Sequence, residues 1–211
     1  MNIQTFSNAT NLGSKVHDVA QKIVLGEAYE VEDEIKPYVD NVKKIVSEIK
    51  EDYPEVVEAE NKFKISLSEL DFDSDLTFLG YIDCVFKDSD GNYLIVDWKT
   101  SKRTNYASSH RRQLLAYKKA YCKLNDIDES SVNVAIGYVG LRKRVNTGEI
   151  GYKLEDKQPT KRSYNTFRKY VNRLLNWIDN PDKFCKEIIE ANKNTHLWKI
   201  TTDELRKYNL E

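Results

Sequence analysis

The sequence predicts a mixed α/β or α+β fold. Two helical segments precede residue 54, apolar alternation with a period of two begins at Glu55, and a helix separates the third strand from a fourth. In the first segment Val16, Val19, Ala20, Ile23 and Val24 recur at helical spacing, with Asn11 or Ser14 as the cap and Gly26 as the stop. His17 falls at the edge of that apolar face. The second helix runs from about Ile35 to Lys50. Pro37 suits its first turn and Val42, Ile45, Val46 and Ile49 its buried face, while its outer face is acidic. Val57, Ala59, Phe63, Ile65 and Leu67 then alternate as in a strand with one solvated side. Leu76–Phe86 is the second strand, Asp90-Gly91 a hairpin turn, and Tyr93–Trp98 an apolar third strand that ends on charge. Ser109 to Leu124 reads as a helix and Val132 to Leu141 as a buried strand. Gly148 or its neighbours turn the chain towards Tyr152–Leu154. From Thr160 the pattern is helical through Tyr164, Phe167, Tyr170, Val171, Leu174, Leu175 and Ile178. Asn180-Pro181 restarts a helix containing Phe184, Ile188 and Ile189.

The formal charge of −1 over 211 residues hides a split. Residues 1–98 carry 9 basic and 21 acidic side chains, a net of −12, whereas residues 99–211 carry 24 and 13, a net of +11. Such asymmetry points to an anionic partner. Cys84, Cys122 and Cys185 form no CxxC pair, which suits free thiols in a reducing, cytoplasmic setting. No apolar run of membrane-spanning length and no signal peptide is expected.

The chemistry concentrates around Asp83 and Asp97-x-Lys99. Carboxylates on adjacent strands converge when they share a side, and residues two apart on a strand emerge on the same face. Two carboxylates suit a divalent ion, and a lysine beside them suits charge developing on a phosphate, which together favour phosphodiester hydrolysis. Gln113 and Tyr117 stand at i and i+4 on the next helix beside Arg111 and Arg112. The run from Trp98 to Asn125 contains eight basic residues and no acidic one. His17 offers an imidazole as a further metal ligand. Lys102, Arg103, Arg111 and Arg112 are the local candidates for phosphate contacts, with Arg142, Lys143 and Arg144 extending the groove. Tyr81, Trp98 and Tyr106 are candidates for stacking on unpaired bases.

In order and spacing, Gly13-x-x-x-His17, Gly80-x-Ile82-Asp83, Asp97-Trp98-Lys99-Thr100 and Gln113-x-x-x-Tyr117 resemble the successive motifs of the PD-(D/E)XK nuclease superfamily, in its RecB-type, Cas4-like branch, which includes phage and viral nucleases. The resemblance implies a restriction-endonuclease-like core: a central mixed β-sheet flanked by helices, forming one nuclease domain over residues 1–211. Within it, residues 1–54 are a helical N-terminal part, 55–158 the catalytic sheet core and 159–211 C-terminal helices. It implies that His17, Asp83, Asp97 and the backbone carbonyl of Trp98 bind Mg²⁺ or Mn²⁺ and that Lys99 is the catalytic lysine. Gln113 and Tyr117 close the site and help hold DNA, and Glu60 is a weaker match to an early acidic residue. The implied reaction is hydrolysis by metal-activated water, leaving a 5′-phosphorylated product. An exonuclease on single strands or duplex ends is the leading expectation, with an endonuclease or a non-cleaving nucleic-acid-binding module as alternatives. Three cysteines cannot supply four thiolates, so no iron–sulfur cluster is expected. No P-loop is present, so any recombination or replication motor is a separate partner.

Overall fold

The computed structural model describes residues 3–143, 149–182 and 186, with side chains described from Asn11 onward. Arg144, Gly148, Phe184, Cys185, Ile188 and Ile189, all singled out above, lie outside the described residues. The elements follow the order α1 (Ile3–Leu25), α2 (Lys36–Asp52), β1 (Glu55–Ser66), β2 (Thr77–Lys87), β3 (Tyr93–Lys99), α3 (Ala107–Asn125), β4 (Val132–Arg142), β5 (Ile150–Glu155) and α4 (Lys161–Asp179). The chain up to Tyr164 forms one compact unit and the chain from Asn165 a second. In the second, α4 sets the Arg173 guanidinium 4.4 Å from the centre of the Trp177 ring.

In the first unit five strands form one mixed sheet in the order β1-β2-β3-β4-β5. Only β3 and β4 run parallel, because α3 returns the chain to the starting end of β3 before β4 begins. Alternation along β3 shows how both faces are covered. Leu94, Val96 and Trp98 join a core with Val16, Val19 and Ala20 of α1 and Val39, Val42, Ile45 and Ile49 of α2. The odd-numbered residues point the other way: Tyr93 meets the Tyr121 ring of α3 and Lys99 reaches Gln113 of α3. A strand buried on both sides needs an apolar run rather than strict alternation, as Tyr93–Trp98 has.

The hairpin turn forms as expected. The Asp88 carboxylate accepts the backbone N–H groups of Asp90 and Asn92, and Gly91 takes a φ of +88°. Most boundaries fall within two residues of expectation, and α1 and β5 are longer than expected. The first helix already runs at Ile3, so Asn11 and Ser14 lie inside it rather than at its start. Residues 3–12 hold no proline or glycine to stop a helix from extending upstream. A methyl added at Gly13 would sit 3.8 Å from Thr100 Oγ1, an ordinary contact, and nothing in the structure explains a glycine there. The last strand spans Ile150–Glu155 rather than only Tyr152–Leu154. Among the described residues no helix is long and apolar enough to cross a membrane.

Candidate metal and phosphate site

The site forms where β2 and β3 part. Their pairing runs from Lys87–Tyr93 to Cys84–Val96 and goes no further, so Asp83 and Asp97 lie one residue beyond its end. The Asp83 side chain takes up one backbone group there: its Oδ2 accepts the N–H of Trp98 at 2.7 Å. Its Oδ1 faces His17 Nδ1 of α1 at 3.3 Å. Asp97 and Lys99 share a strand face, and Lys99 Nζ stands 2.7 Å from Asp97 Oδ2. This ion pair is largely buried, and the Lys99 ammonium is what faces that oxygen.

Behind the lysine a relay fixes its position. Lys99 Nζ donates to Gln113 Oε1 at 3.2 Å, and Gln113 Nε2 donates to Tyr117 Oη at 2.7 Å. One helical turn separates the glutamine from the tyrosine, so α3 presents both side by side. The Tyr117 ring meets Phe63 of β1 edge-on with centroids 5.5 Å apart. Gly80 is required at this contact, since a Cβ would lie 2.4 Å from the Phe63 ring and 3.0 Å from that of Tyr117.

The electrostatics are those of crowded acids. Burial lifts Asp97 to about 6; the Asp83 charge adds to the lift, while Lys99 and His17 oppose it. Burial works against protonation of His17, yet the hydrogen bond and charge of Asp83, with the charge of Asp97, leave its pKa raised. Glu60 is raised by burial and then by the Asp83 charge. It is the residue the sequence marked least clearly. The β1–β2 register sets Ala59 opposite Cys84 and Asn61 opposite Ile82, placing Glu60 against Asp83. Its φ of +52° is uncommon for a residue with a Cβ. The available signal was Asn61, a polar residue where the alternation calls for an apolar one.

His17, Glu60 and Asp83 offer ligand atoms within 4.8 Å of one another. One imidazole and two carboxylates are a donor set that fits a divalent cation. Asp97 is not part of that triad; it stands with Lys99. A cleft of about 440 Å³ opens beside these groups, lined by Leu12, His17, Tyr38, Lys99, Ser101 and Lys102 among others.

The model of the PD-(D/E)XK nuclease superfamily matches residues 2–190. The chain belongs to this superfamily. Its mixed sheet flanked by helices is the restriction-endonuclease-like fold, and the family implies a metal-dependent nuclease that binds nucleic acid. A solved structure titled "Crystal structure of SSO0001" is similar at a TM-score of 0.33 and 13 % identity, over 77 % of this chain and 85 % of that one. No curated protein matches the sequence.

Other residues singled out in this superfamily member separate into two groups. Lys102 and Arg103 are exposed in the loop after β3. Arg111 is engaged by Glu155 at 2.5 Å, and Arg112 is half-buried. Trp98 is no stacking platform: its ring is 1 % exposed, and Gly137 makes room for it, since a Cβ there would lie 2.3 Å away. Strand alternation turns Trp98 into the α1/α2 core while its neighbours Asp97 and Lys99 face the site. Tyr81 and Tyr106 are exposed. Cys84 and Cys122 are buried free thiols.

Proposed function

We propose that this chain is a divalent-metal-dependent deoxyribonuclease of the RecB-type, Cas4-like branch, acting as an exonuclease on single strands or duplex ends. The observation that carries the reading is the meeting of Asp83, Asp97, Lys99 and His17 at the point where β2 and β3 stop pairing. His17, Glu60 and Asp83 would hold Mg²⁺ or Mn²⁺, with Asp97 and the Trp98 carbonyl as further ligands. When bound, such an ion polarises the phosphate and acidifies water.

The chain's own groups do the rest. Lys99 places an ammonium beside the carboxylates, where it stabilises negative charge growing on the scissile phosphate. Gln113 holds that ammonium from behind and Tyr117 holds Gln113, so the charge is oriented before substrate arrives. Lys102, Arg103 and Arg112 supply phosphate contacts along the strand, and Arg111 acts through its Glu155 pair to shape that surface. The order of His17, Asp83, Asp97-x-Lys99 and Gln113-x-x-x-Tyr117 supports the branch and the exonuclease preference.

A time course on end-labelled and circular DNA, single- and double-stranded, with Mg²⁺, Mn²⁺ or chelator, tests this reading. Expected is loss of linear strands from an end, with circles intact and no cleavage in chelator. Cleavage by purified Asp97→Ala at the wild-type rate would sink the assignment, and cut circles would replace exonuclease with endonuclease.

A further inference from the structure

One surface of the β1–β2 hairpin has a composition that packing does not require. Because β2 pairs with β3 only from Cys84 to Lys87, Thr77–Ile82 and their partners Asn61–Ser66 form a two-stranded arm running past the end of that ladder. One face of the arm is closed: Phe63 and Ile65 are buried, and the Phe63 ring meets Phe78 and Tyr117 at 5.3 and 5.5 Å. The other face carries two cross-strand pairs, Lys62 opposite Tyr81 and Lys64 opposite Leu79. All four are exposed, Tyr81 by 51 % and Leu79 by 57 %. Lys62 Nζ lies 5.6 Å from the Tyr81 ring centre.

Charge singles out the arm as well. Residues 61–66 and 76–82 contain two lysines and no acidic residue, within a sequence half whose net charge is −12. The turn at the tip reverses the sign with Glu69, Asp71, Asp73 and Asp75. At the base of the arm stand Glu60 and Asp83, two residues from the Lys62–Tyr81 pair.

We propose that this arm is a track for an unpaired DNA strand, with a base stacked on Tyr81, apolar contact at Leu79 and phosphates against Lys62 and Lys64. The inference rests on the nuclease reading above and names the form of substrate that site receives. At about 3.3 Å per residue the two rows lie roughly 7 and 13 Å along β2 from Asp83, so a strand on them leads into the site. An aromatic ring flanked by lysines takes any unpaired base, whereas a duplex keeps its bases stacked inside and offers Tyr81 nothing to stack on. The acidic tip repels phosphates and ends the track after these rows. Leu76, Leu79 and Tyr81 are too small an apolar surface for a standard interface between two copies, which buries roughly 1,200–2,000 Å².

The test is equilibrium binding of the full chain to a fluorescein-labelled oligothymidylate and to a blunt duplex, with EDTA present so that nothing is cut. Expected is a loss of about tenfold in single-strand affinity for Tyr81→Ala, and of less than about twofold for Tyr81→Phe, whose ring still stacks. The Lys62→Gln/Lys64→Gln double variant should flatten the salt dependence of log K by about 1.4. Single-strand binding by Tyr81→Ala within about twofold of the wild type overturns the track, as does an equal loss in the Phe variant. A dimer in sedimentation that Leu79→Lys dissociates also overturns it, by making this face an interface between copies. Wild-type protein that binds single strands through Tyr81 but cuts nothing in Mg²⁺ would sink the nuclease reading alone.

Discussion

Four polar side chains are buried among the described residues of this protein, and they form two contrasting pairs. Asn41 and Lys118 complete the backbone. Asn41 Nδ2 donates to the carbonyls of Val139 and Gly151 at 2.9 and 3.4 Å, where β4 and β5 slip register, and Lys118 Nζ donates to Val132 O at 2.6 Å, where β4 begins. Asp83 and Asp97 instead sit just past the end of the β2–β3 pairing, with Asp83 drawn close to His17 and Glu60 and Asp97 held beside Lys99. The first pair is satisfied by groups the fold already contains. The second is left crowded, with the Lys99 ammonium against Asp97, and burial holds Asp97 near 6. Polar burial that serves structure ends in a hydrogen bond; polar burial that serves a site leaves capacity for something not in the chain.

The contrast can be broken first at its functional pole. Asp97→Ala and Lys99→Ala should each lower nucleolytic turnover by about a thousandfold or more while the protein stays folded. Asp97→Asn should also raise the urea midpoint of the metal-free protein at pH 7, because it removes an ionised acid from beside Asp83. Steady-state cleavage read beside circular dichroism separates the two effects, and a fall in both would place Asp97 with the structural pair.

At the structural pole the balance should invert. Asn41→Ala strands the Val139 carbonyl in the core and should cost roughly 2 kcal/mol in denaturant unfolding, with the folded fraction cutting normally. A loss of turnover without a loss of stability would refute the division.

The pH dependence sharpens the comparison further. Asp97 must be ionised to bind a cation, so the rise in Tm caused by Mn²⁺ should shrink as pH falls through about 6. In metal-free protein the sign reverses. A carboxyl whose folded pKa is raised binds more protons in the native state, so stability should rise as pH falls from about 6 towards the unfolded value of 3.8. Asp97→Asn should weaken both trends in thermal scans without abolishing them, because His17 and Glu60 are raised as well.

The smallest effect belongs to Lys118→Met. It removes a hydrogen bond but also the cost of burying an ammonium, which already pulls this lysine below its ordinary value. A stability change within about 1 kcal/mol and unchanged turnover are expected, read by urea unfolding and the cleavage assay.

Most of the candidate site was legible because its geometry is local. Asp97 and Lys99 share a strand face by spacing alone, Gln113 and Tyr117 share a helix face by spacing alone, and Asp83 lies across a hairpin that Asp90-Gly91 announces. Glu60 was not so legible. Its approach to Asp83 depends on a register shift between Val56 and Glu58 and on a positive φ, neither of which alternation encodes. The same holds for Arg111, whose partner Glu155 lies 44 residues away, and for Trp98, whose aromatic ring reads as a stacking surface until the second sheet face is covered. The first helix extends upstream of its expected caps because residues 3–12 hold no proline or glycine to stop it.

By itself the sequence determined the order of elements, the two buried faces of β3 and the acid–lysine chemistry, since each follows from periods of two or 3.6 residues. Only the tertiary structure decided which acids meet, which cations are already neutralised and which aromatic rings stay exposed. Those depend on cross-strand register and on contacts between residues far apart in the chain, where an error of one residue turns a side chain to the other face.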